Sequence, residues 1–97
     1  MSLVVQPDAE TEITNAALWY HEQSSAIRDS FLTAVDQALQ AIEQRPLLYQ
    51  RIYKQVRRLV LREFPYALFY TVSSQDVVVI ACLHCSRDPK LWRKRVP

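Results

Sequence analysis

The sequence predicts an α+β fold in which one strand and two helices precede three further strands. Apolar residues recur at helical spacing through the first half of the chain, most regularly over residues 27–42. From Val56 onward the pattern changes to strands: residues 56–62 alternate, residues 66–72 are rich in aromatic and β-branched residues, and residues 77–83 are apolar throughout. This order of elements favours a helical hairpin packed on one face of a mostly antiparallel, four-stranded sheet.

Pro7 separates the first predicted strand from the first predicted helix. Leu3–Val5 is a short apolar run that ends at this proline, which sheets accept at strand ends and on edge strands. We therefore expect an edge strand, followed by a helix over residues 9–23 that the carboxylate of Asp8 caps. The residues predicted to form the buried stripe of this helix are Ile13, Ala16, Ala17 and Tyr20.

The second helix has the most regular apolar spacing in the chain. Ser24 and Ser25 interrupt the first helical pattern and offer a hydroxyl cap for the next helix. Pro46 disfavours helical geometry at Arg45 and so ends the helix. Because the break between the helices is short, we expect an antiparallel hairpin. The residues predicted to face the core are Ile27, Phe31, Val35, Ala38 and Ile42.

The remaining strands follow in the second half of the chain. Val77–Leu83 is apolar throughout and is expected to be the central strand. Ser73–Asp76 is polar and short enough to close an antiparallel hairpin with the strand before it. Arg57 and Arg58 are consecutive, so they are expected to point to opposite faces of the sheet.

Length and composition indicate one domain over residues 1–97. A chain of 97 residues that is 49% hydrophobic and 23% charged resembles an ordinary globular protein with a single core. Its longest apolar run, Val77–Leu83, is far shorter than the roughly 20 residues of a membrane span. Met1–Pro7 lacks a basic segment followed by a signal-like core, so the cytoplasm is the expected location.

The net charge of +2 conceals two parts of opposite sign. Residues 1–44 hold seven acids and one base, a net charge of −6, whereas residues 45–97 hold eleven bases and three acids, a net charge of +8. Because attraction depends on local charge, the basic part indicates a docking surface for phosphates or for an acidic protein segment. The alternative is that these bases are merely solvated positions on strands and tail.

Cys82 and Cys85 form a Cys-x-x-Cys motif, which can indicate a redox pair or a zinc site. A thioredoxin-like pair would open a helix, whereas Ser86–Pro89 is predicted to form a turn. A structural zinc ion needs four ligands, and only His84 and the distant His21 could join the cysteines. We therefore predict no metal and no cofactor, with one cysteine buried in a strand and the other near the strand's end.

Several motifs in residues 56–95 carry a family resemblance. They are Phe64-Pro65-Tyr66, His84-x-x-Arg87-Asp88-Pro89 and Trp92-x-x-Arg95. With these motifs and its order of elements, the chain resembles the RelE/ParE superfamily of toxins, and the ParE-type plasmid-stabilisation proteins in particular. Further positions that contribute to the resemblance are Trp19, Tyr20, Phe31, Pro46, Arg57, Arg58 and Tyr70.

The resemblance implies the toxin of a type II toxin-antitoxin system, which a cognate antitoxin neutralises. The antitoxin is expected to be acidic and apolar, and to cover an exposed strand edge or the groove between helices and sheet. ParE-like toxins bind and inhibit DNA gyrase, whereas RelE-like toxins cut messenger RNA on the ribosome. A third possibility is an inactive member kept as an antitoxin-binding or autoregulatory module.

Cleavage of RNA without a metal needs a base, a cation near the phosphate and an acid for the leaving oxygen. His84 is the candidate for proton transfer, and the candidates for holding the phosphate are Arg87, Arg62 or Arg58. The simpler alternative is that His84 ends the last strand and bonds a backbone group.

RelE-like nucleases tend to carry lysines on the strand after the second helix and a tyrosine near the C-terminus, and departures from this pattern favour the ParE mode of action. Lys54 is the only lysine between the predicted helices and the final hairpin, and no tyrosine follows Tyr70. The C-terminal segment 90–95 is expected to be a flexible or lightly docked tail, whose charges and Trp92 could offer contacts to antitoxin or target. The residues expected to bind target or antitoxin are Arg58, Trp92, Arg93 and Arg95. The aromatic residues expected to belong to the core are Trp19, Tyr20, Phe31, Phe64 and Phe69.

Overall fold

The computed structural model describes residues 2–96 and has the predicted order of elements with two additions. The elements are β1 (Ser2–Val5), α1 (Pro7–His21), α2 (Ser25–Gln44), β2 (Arg51–Tyr53), β3 (Val56–Val60), β4 (Tyr66–Val72), β5 (Asp76–His84) and α3 (Lys90–Arg93). The additions are the short strand β2 and the short helix α3. The α+β class is confirmed.

The sheet has five strands rather than the predicted four, in the order β1-β5-β4-β3-β2. β1 is parallel to β5, whereas the other neighbouring strands are antiparallel. The edge position predicted for β1 is confirmed. β5 is an interior strand, but the middle strand of the five is β4, so the prediction of a central β5 is only partly right. β2 has three residues, too few to produce an alternating pattern in the sequence.

The helices begin and end where short polar residues and prolines dictate. Ser24 caps α2, because its Oγ accepts hydrogen bonds from the backbone N–H of Ala26 at 3.1 Å and of Ile27 at 3.3 Å. In α1, by contrast, Pro7 takes the first position and Gln6 is the N-cap without a side-chain hydrogen bond. The prediction that Asp8 caps α1 is therefore wrong, because proline tolerates the first helical turn and lets the helix start earlier.

Both long helices pack on the same face of the sheet and bury the predicted stripes. Phe31 and Ile42 are fully buried at 0% exposure, and Tyr20 is 8% exposed. Tyr20 and Phe31 pack with ring centroids 5.1 Å apart, and Phe64 meets both rings edge-on. Burying side chains of this size contributes about 2–3 kcal/mol each to folding. Ile27 departs from the prediction, since it is 38% exposed near the start of α2.

Two side chains from the sheet fix the segment between α2 and β2. The buried Tyr70 hydroxyl donates to the Pro46 carbonyl at 2.7 Å. Arg57 Nη1 donates to the carbonyls of Tyr49 at 2.6 Å and of Leu47 at 3.2 Å. Arg57 therefore serves the fold on the helical face, while Arg58 lines a cavity on the other face, as their consecutive positions predicted.

The opposite face of the sheet is covered by α3. Trp92 is 4% exposed and stacks on Phe69 with ring centroids 4.8 Å apart, while Tyr53 meets it edge-on at 5.7 Å. The prediction of a flexible or lightly docked C-terminal tail is therefore wrong for residues 90–95, because a buried tryptophan anchors the segment. Within residues 2–96, no helix is both long enough and apolar enough to cross a membrane.

Candidate functional site

His84 ends β5 and is held by the turn that follows it. Its Nδ1 accepts a hydrogen bond from the backbone N–H of Ser86 at 3.1 Å and lies 2.8 Å from the hydroxyl of the same serine. Because a backbone N–H can only donate, Nδ1 is the acceptor and the neutral ring carries its proton on Nε2. The ring of Tyr66 packs edge-on against the imidazole, with centroids 5.3 Å apart. His84 thus makes the backbone bond expected of a strand-ending histidine and keeps Nε2–H as a donor.

An open cleft of about 410 Å³ lies between α1 and the end of β5. We call it the α1–β5 cleft, and its polar and aromatic lining comprises Glu12, Asn15, Trp19, Tyr66, His84 and Arg87. Trp19 is 55% exposed, so the prediction that it belongs to the core is wrong. Successive helical residues are about 100° apart, and Tyr20 already occupies the direction of the core.

Arg87 enters this cleft from the turn after β5. Its backbone N–H donates to the His84 carbonyl at 2.9 Å, which closes the turn and places the two side chains near each other. Burial raises the pKa of the neighbouring Tyr66, and the positive charge of Arg87 partly offsets that rise. Tyr66 therefore presents a neutral hydroxyl at physiological pH.

A smaller cavity of about 60 Å³ on the opposite face shares His84 and Arg87 with the α1–β5 cleft. Arg58 and Trp92 also line it. The structure thus brings Arg58, His84 and Arg87 to one end of the sheet. Arg62 lies apart from them, because it follows β3 and lines the openings along α2 instead. Of the residues predicted for RNA cleavage, His84 and Arg87 share a site that Arg62 does not line.

Arg95 is held by the N-terminal helix rather than presented to solvent. Its Nη2 donates to Glu12 Oε2 at 2.8 Å, and its Nη1 donates to Glu12 Oε1 at 3.0 Å and to the Ile80 carbonyl at 2.9 Å. The carboxylate of Asp8 lies 3.7 Å from its Nε. The hydrogen bond with Glu12 raises the pKa of Arg95 above its ordinary value. Arg95 was predicted from the sequence to bind target or antitoxin, whereas its guanidinium is occupied within the fold.

The same pair of residues completes the edge of β5. β1 ends opposite Val79, and beyond that point its backbone no longer covers this edge. Glu12 Oε1 accepts the Cys82 N–H at 3.1 Å, and Arg95 takes the Ile80 carbonyl. Two side chains thereby replace the ladder bonds that a longer β1 would supply, which we call the Glu12–Arg95 clamp.

The other predicted contact residues differ in accessibility. Arg93 lies over the Tyr53 ring at 4.5 Å from its centroid and is exposed at the surface of α3. Arg58 is exposed, whereas Trp92 is buried between α3 and the sheet. A role in target or antitoxin binding therefore remains a prediction for Arg58, Arg93 and Trp92, and of these three only Arg58 and Arg93 are exposed.

Another opening, which we call the α2–β3 groove, has a mostly apolar lining. Its volume is about 270 Å³, and it runs between Ala34, Ala38 and Ala41 of α2 and Leu59 near the end of β3. The small alanines leave room for a segment of another chain, and Arg62 contributes a cationic side chain to the lining. A groove between helices and sheet is one of the two surfaces predicted for the antitoxin, the other being an exposed strand edge.

The two cysteines are free thiols with different surroundings. Cys82 is buried in β5 and Cys85 is exposed in the turn, as predicted from the sequence. Burial raises the pKa of Cys82 to about 12, with a smaller contribution from the charge of Glu12. Cys82 is therefore an uncharged core side chain under physiological conditions.

Asn15, Trp19 and Glu12 were not predicted from the sequence to be parts of a site. Trp19 and Glu12 lie on α1, whereas their neighbours His84 and Arg95 come from the C-terminal part of the chain. One signal was available for Trp19. It does not fall on the predicted buried stripe of α1, so its side chain could have been predicted to be exposed. No local pattern connects Glu12 to Arg95, which lies 83 residues away in the sequence.

The comparison with known proteins identifies the family. A family model described as the ParE toxin of a type II toxin-antitoxin system, parDE, matches residues 3–89. The chain belongs to this family. Among solved structures, a chain from the chromosomal ParDE toxin-antitoxin system of P. aeruginosa has a TM-score of 0.59 at 17% identity, covering 87% of this chain and 95% of that chain. At this identity, that likeness shows the fold alone, and no curated protein matches the sequence.

The family match covers most, but not all, of the motifs of this ParE-family toxin. It includes His84 and Arg87 but ends at residue 89, before α3 and Arg95. The Glu12–Arg95 clamp thus joins a residue inside the matched region to one beyond it.

Proposed function

We propose that this ParE-family toxin inhibits growth by binding its target in the cytoplasm, and that the target is DNA gyrase. The observation that carries the proposal is the family match over residues 3–89. Two features of the site agree with binding rather than chemistry. The aromatic side chain near the C-terminus is Trp92, which is buried and has no ionisable group. Lys54 is the single lysine between α2 and the final hairpin. Its ammonium group lies over the Tyr53 ring, with Nζ 5.4 Å from the ring centroid.

Purified gyrase tests this proposal. We expect the toxin to inhibit supercoiling and to increase the amount of cleaved DNA in gyrase complexes. The double variant R58Q/R93Q should weaken this effect, because both side chains are exposed and cationic. The matched control is R28Q, whose guanidinium is already paired with Asp29 at 2.9 Å. Unchanged supercoiling and cleavage at saturating toxin would rule out gyrase as the target.

Cleavage of messenger RNA on the ribosome is the second candidate function. The shared location of His84 and Arg87 favours it, because the pair offers a proton donor beside a cation. The toxin should be induced without its antitoxin while cellular RNA 5′ ends are mapped and growth is followed. New in-frame cuts that disappear in H84Q would establish this function. Growth arrest without such cuts supports the gyrase proposal, and unimpaired growth supports an inactive antitoxin-binding or autoregulatory module.

We further propose that the cognate antitoxin binds in the α2–β3 groove and thereby neutralises the toxin. The apolar lining suits an apolar segment, and Arg62 suits an acidic residue beside it. R62E should weaken binding of the antitoxin encoded beside the toxin by about tenfold, since it replaces attraction with repulsion. R51E is the control, because Arg51 is exposed on the edge strand β2 and does not line the groove. Equal affinities of R62E and R51E would place the antitoxin elsewhere.

A further inference from the structure

We propose that the α1–β5 cleft binds a nucleotide, with the phosphate at Arg87 and His84 and the base against Trp19. This binding activity goes beyond the inhibition of a target protein, because it assigns a small ligand chemistry to a cleft on the helical face. It requires no bond to be made or broken.

The side chain of Arg87 is available to a ligand, unlike several other arginines of the chain. Arg28 is paired with Asp29, and Arg57 holds the carbonyls of the segment after α2. Arg95 is held by the Glu12–Arg95 clamp. Within residues 2–96, by contrast, the guanidinium of Arg87 makes no ion pair, and its residue is exposed at the mouth of the cleft. Such a guanidinium is available for bidentate contact with phosphate oxygens.

The groups that neighbour Arg87 in the α1–β5 cleft favour binding of an anion. His84 keeps Nε2–H as a donor because Ser86 occupies Nδ1. Glu12 would repel a phosphate, but both of its oxygens accept hydrogen bonds from Arg95. The negative charge in the cleft is therefore balanced by an internal partner, and the positive charge of Arg87 is left in excess.

The α1–β5 cleft also offers an aromatic surface for a nucleobase. Trp19 is 55% exposed although it is a large aromatic residue, and it lines the same cleft as Arg87 and His84. An indole face stacks on any nucleobase, which makes this contact tolerant of sequence. Asn15, exposed one helical turn before Trp19, adds an amide that can donate to and accept from a base edge. Phosphate, stacking and edge contacts together describe a nucleotide better than a simple anion.

The nucleotide could be free or part of a nucleic acid strand, since both present the same phosphate and base. The volume of about 410 Å³ and the open shape of the cleft accommodate either source. A base within a duplex is stacked on its neighbours and is not available to Trp19, so an unpaired strand is the relevant polymer.

Two probes distinguish the sources. Binding of AMP is measured by isothermal titration calorimetry, and binding of a short fluorescein-labelled single-stranded DNA by fluorescence anisotropy. W19A and R87Q should each weaken binding of the preferred probe by about tenfold. The matched controls are L18A, whose side chain is 57% exposed outside the cleft, and R45Q, which removes an exposed charge elsewhere. Both controls should bind as the wild type does.

The pattern of results decides the proposal. Sensitivity of AMP binding to both cleft variants indicates a free nucleotide, and sensitivity of the DNA alone indicates a strand. Inorganic phosphate that binds as tightly as AMP would reduce the cleft to an anion site and overturn the assignment of Trp19. Failure of both probes to bind, or equal effects of R87Q and R45Q, would overturn the proposal outright. Because Trp19 and Arg87 are exposed, unchanged circular dichroism should accompany either result.

Discussion

The Glu12–Arg95 clamp should contribute strongly to stability, and R95M tests this. The substitution keeps much of the aliphatic length of Arg95 but removes its charge and all its donors. Glu12 then loses two hydrogen bonds, and the Ile80 carbonyl loses the one it receives from Arg95. Glu12 would retain the bond from the Cys82 N–H at 3.1 Å.

The expected loss follows from the burial of the pair. Removing one partner of a fully buried ion pair costs about 3–5 kcal/mol. The side chains of Arg95 and Glu12 are 17% and 18% exposed, so water screens part of the remaining charge. We therefore expect a loss of about 2–3 kcal/mol, which corresponds to a fall in melting temperature of roughly 10–20 °C for a domain of this size.

Urea unfolding followed by circular dichroism measures the loss, and a double-mutant cycle with E12Q isolates the coupling. E12Q keeps an acceptor for the Cys82 N–H while removing the charge. The control is D29N, because the Arg28–Asp29 pair has exposures of 34% and 67% and should contribute less than about 1 kcal/mol. If R95M unfolds within about 0.5 kcal/mol of the wild type, or the cycle gives no coupling, the clamp is not a stabilising contact.

Four further outcomes are expected. A thiol reagent at pH 8 should label one cysteine per native chain, Cys85, and two in denaturant, because Cys82 is buried; labelling of both native thiols would contradict this. Stability should fall as the pH rises above about 9, because folding raises the pKa of Cys82 from 9.0 to about 12 and that of Tyr70 from 10.0 to about 12, so that these groups ionise first in the unfolded chain. Unfolding curves that coincide from pH 8 to 11 would refute this. Y70F should lose about 1 kcal/mol in urea unfolding by removing the bond to the Pro46 carbonyl, and an unchanged midpoint would show that the bond contributes nothing. K54G should gain up to about 1 kcal/mol, since Lys54 has a φ of 50°, and a loss of stability would mean that the flexibility of glycine outweighs the relief.

The fold was largely predictable because its signals are local. The spacing of Phe31, Val35 and Ile42 reports one helical face, and a proline or a serine marks each helix boundary within a few residues. β2 was missed because three residues cannot show a period, and Asp8 was misassigned because Pro7 also satisfies the start of a helix. In each case a second local device competed with the one that the sequence made visible.

The candidate site was less predictable because its members meet only through tertiary packing. His84 and Arg87 were found from their own chemistry, and they do share a cleft. Trp19 was assigned to the core from its residue type. That assignment failed because the exposure of an aromatic side chain depends on which face of the helix packs on the sheet. Arg95 was assigned to the surface from its position near the end of the chain, whereas a buried Trp92 three residues earlier brings it back onto α1.

The opposite charges of the two parts of the chain serve the fold as well as its surface. Arg95, from the basic part, is paired with Glu12 and lies near Asp8, both from the acidic part. Arg57 donates hydrogen bonds to backbone carbonyls. A count of bases along the sequence therefore overstates the surface available for docking. Of the bases that remain, Arg62 belongs to the α2–β3 groove and Arg87 to the α1–β5 cleft, which share no lining residue. An antitoxin confined to the groove would thus leave the cleft open, so nucleotide binding to the toxin-antitoxin complex should persist if both proposals hold.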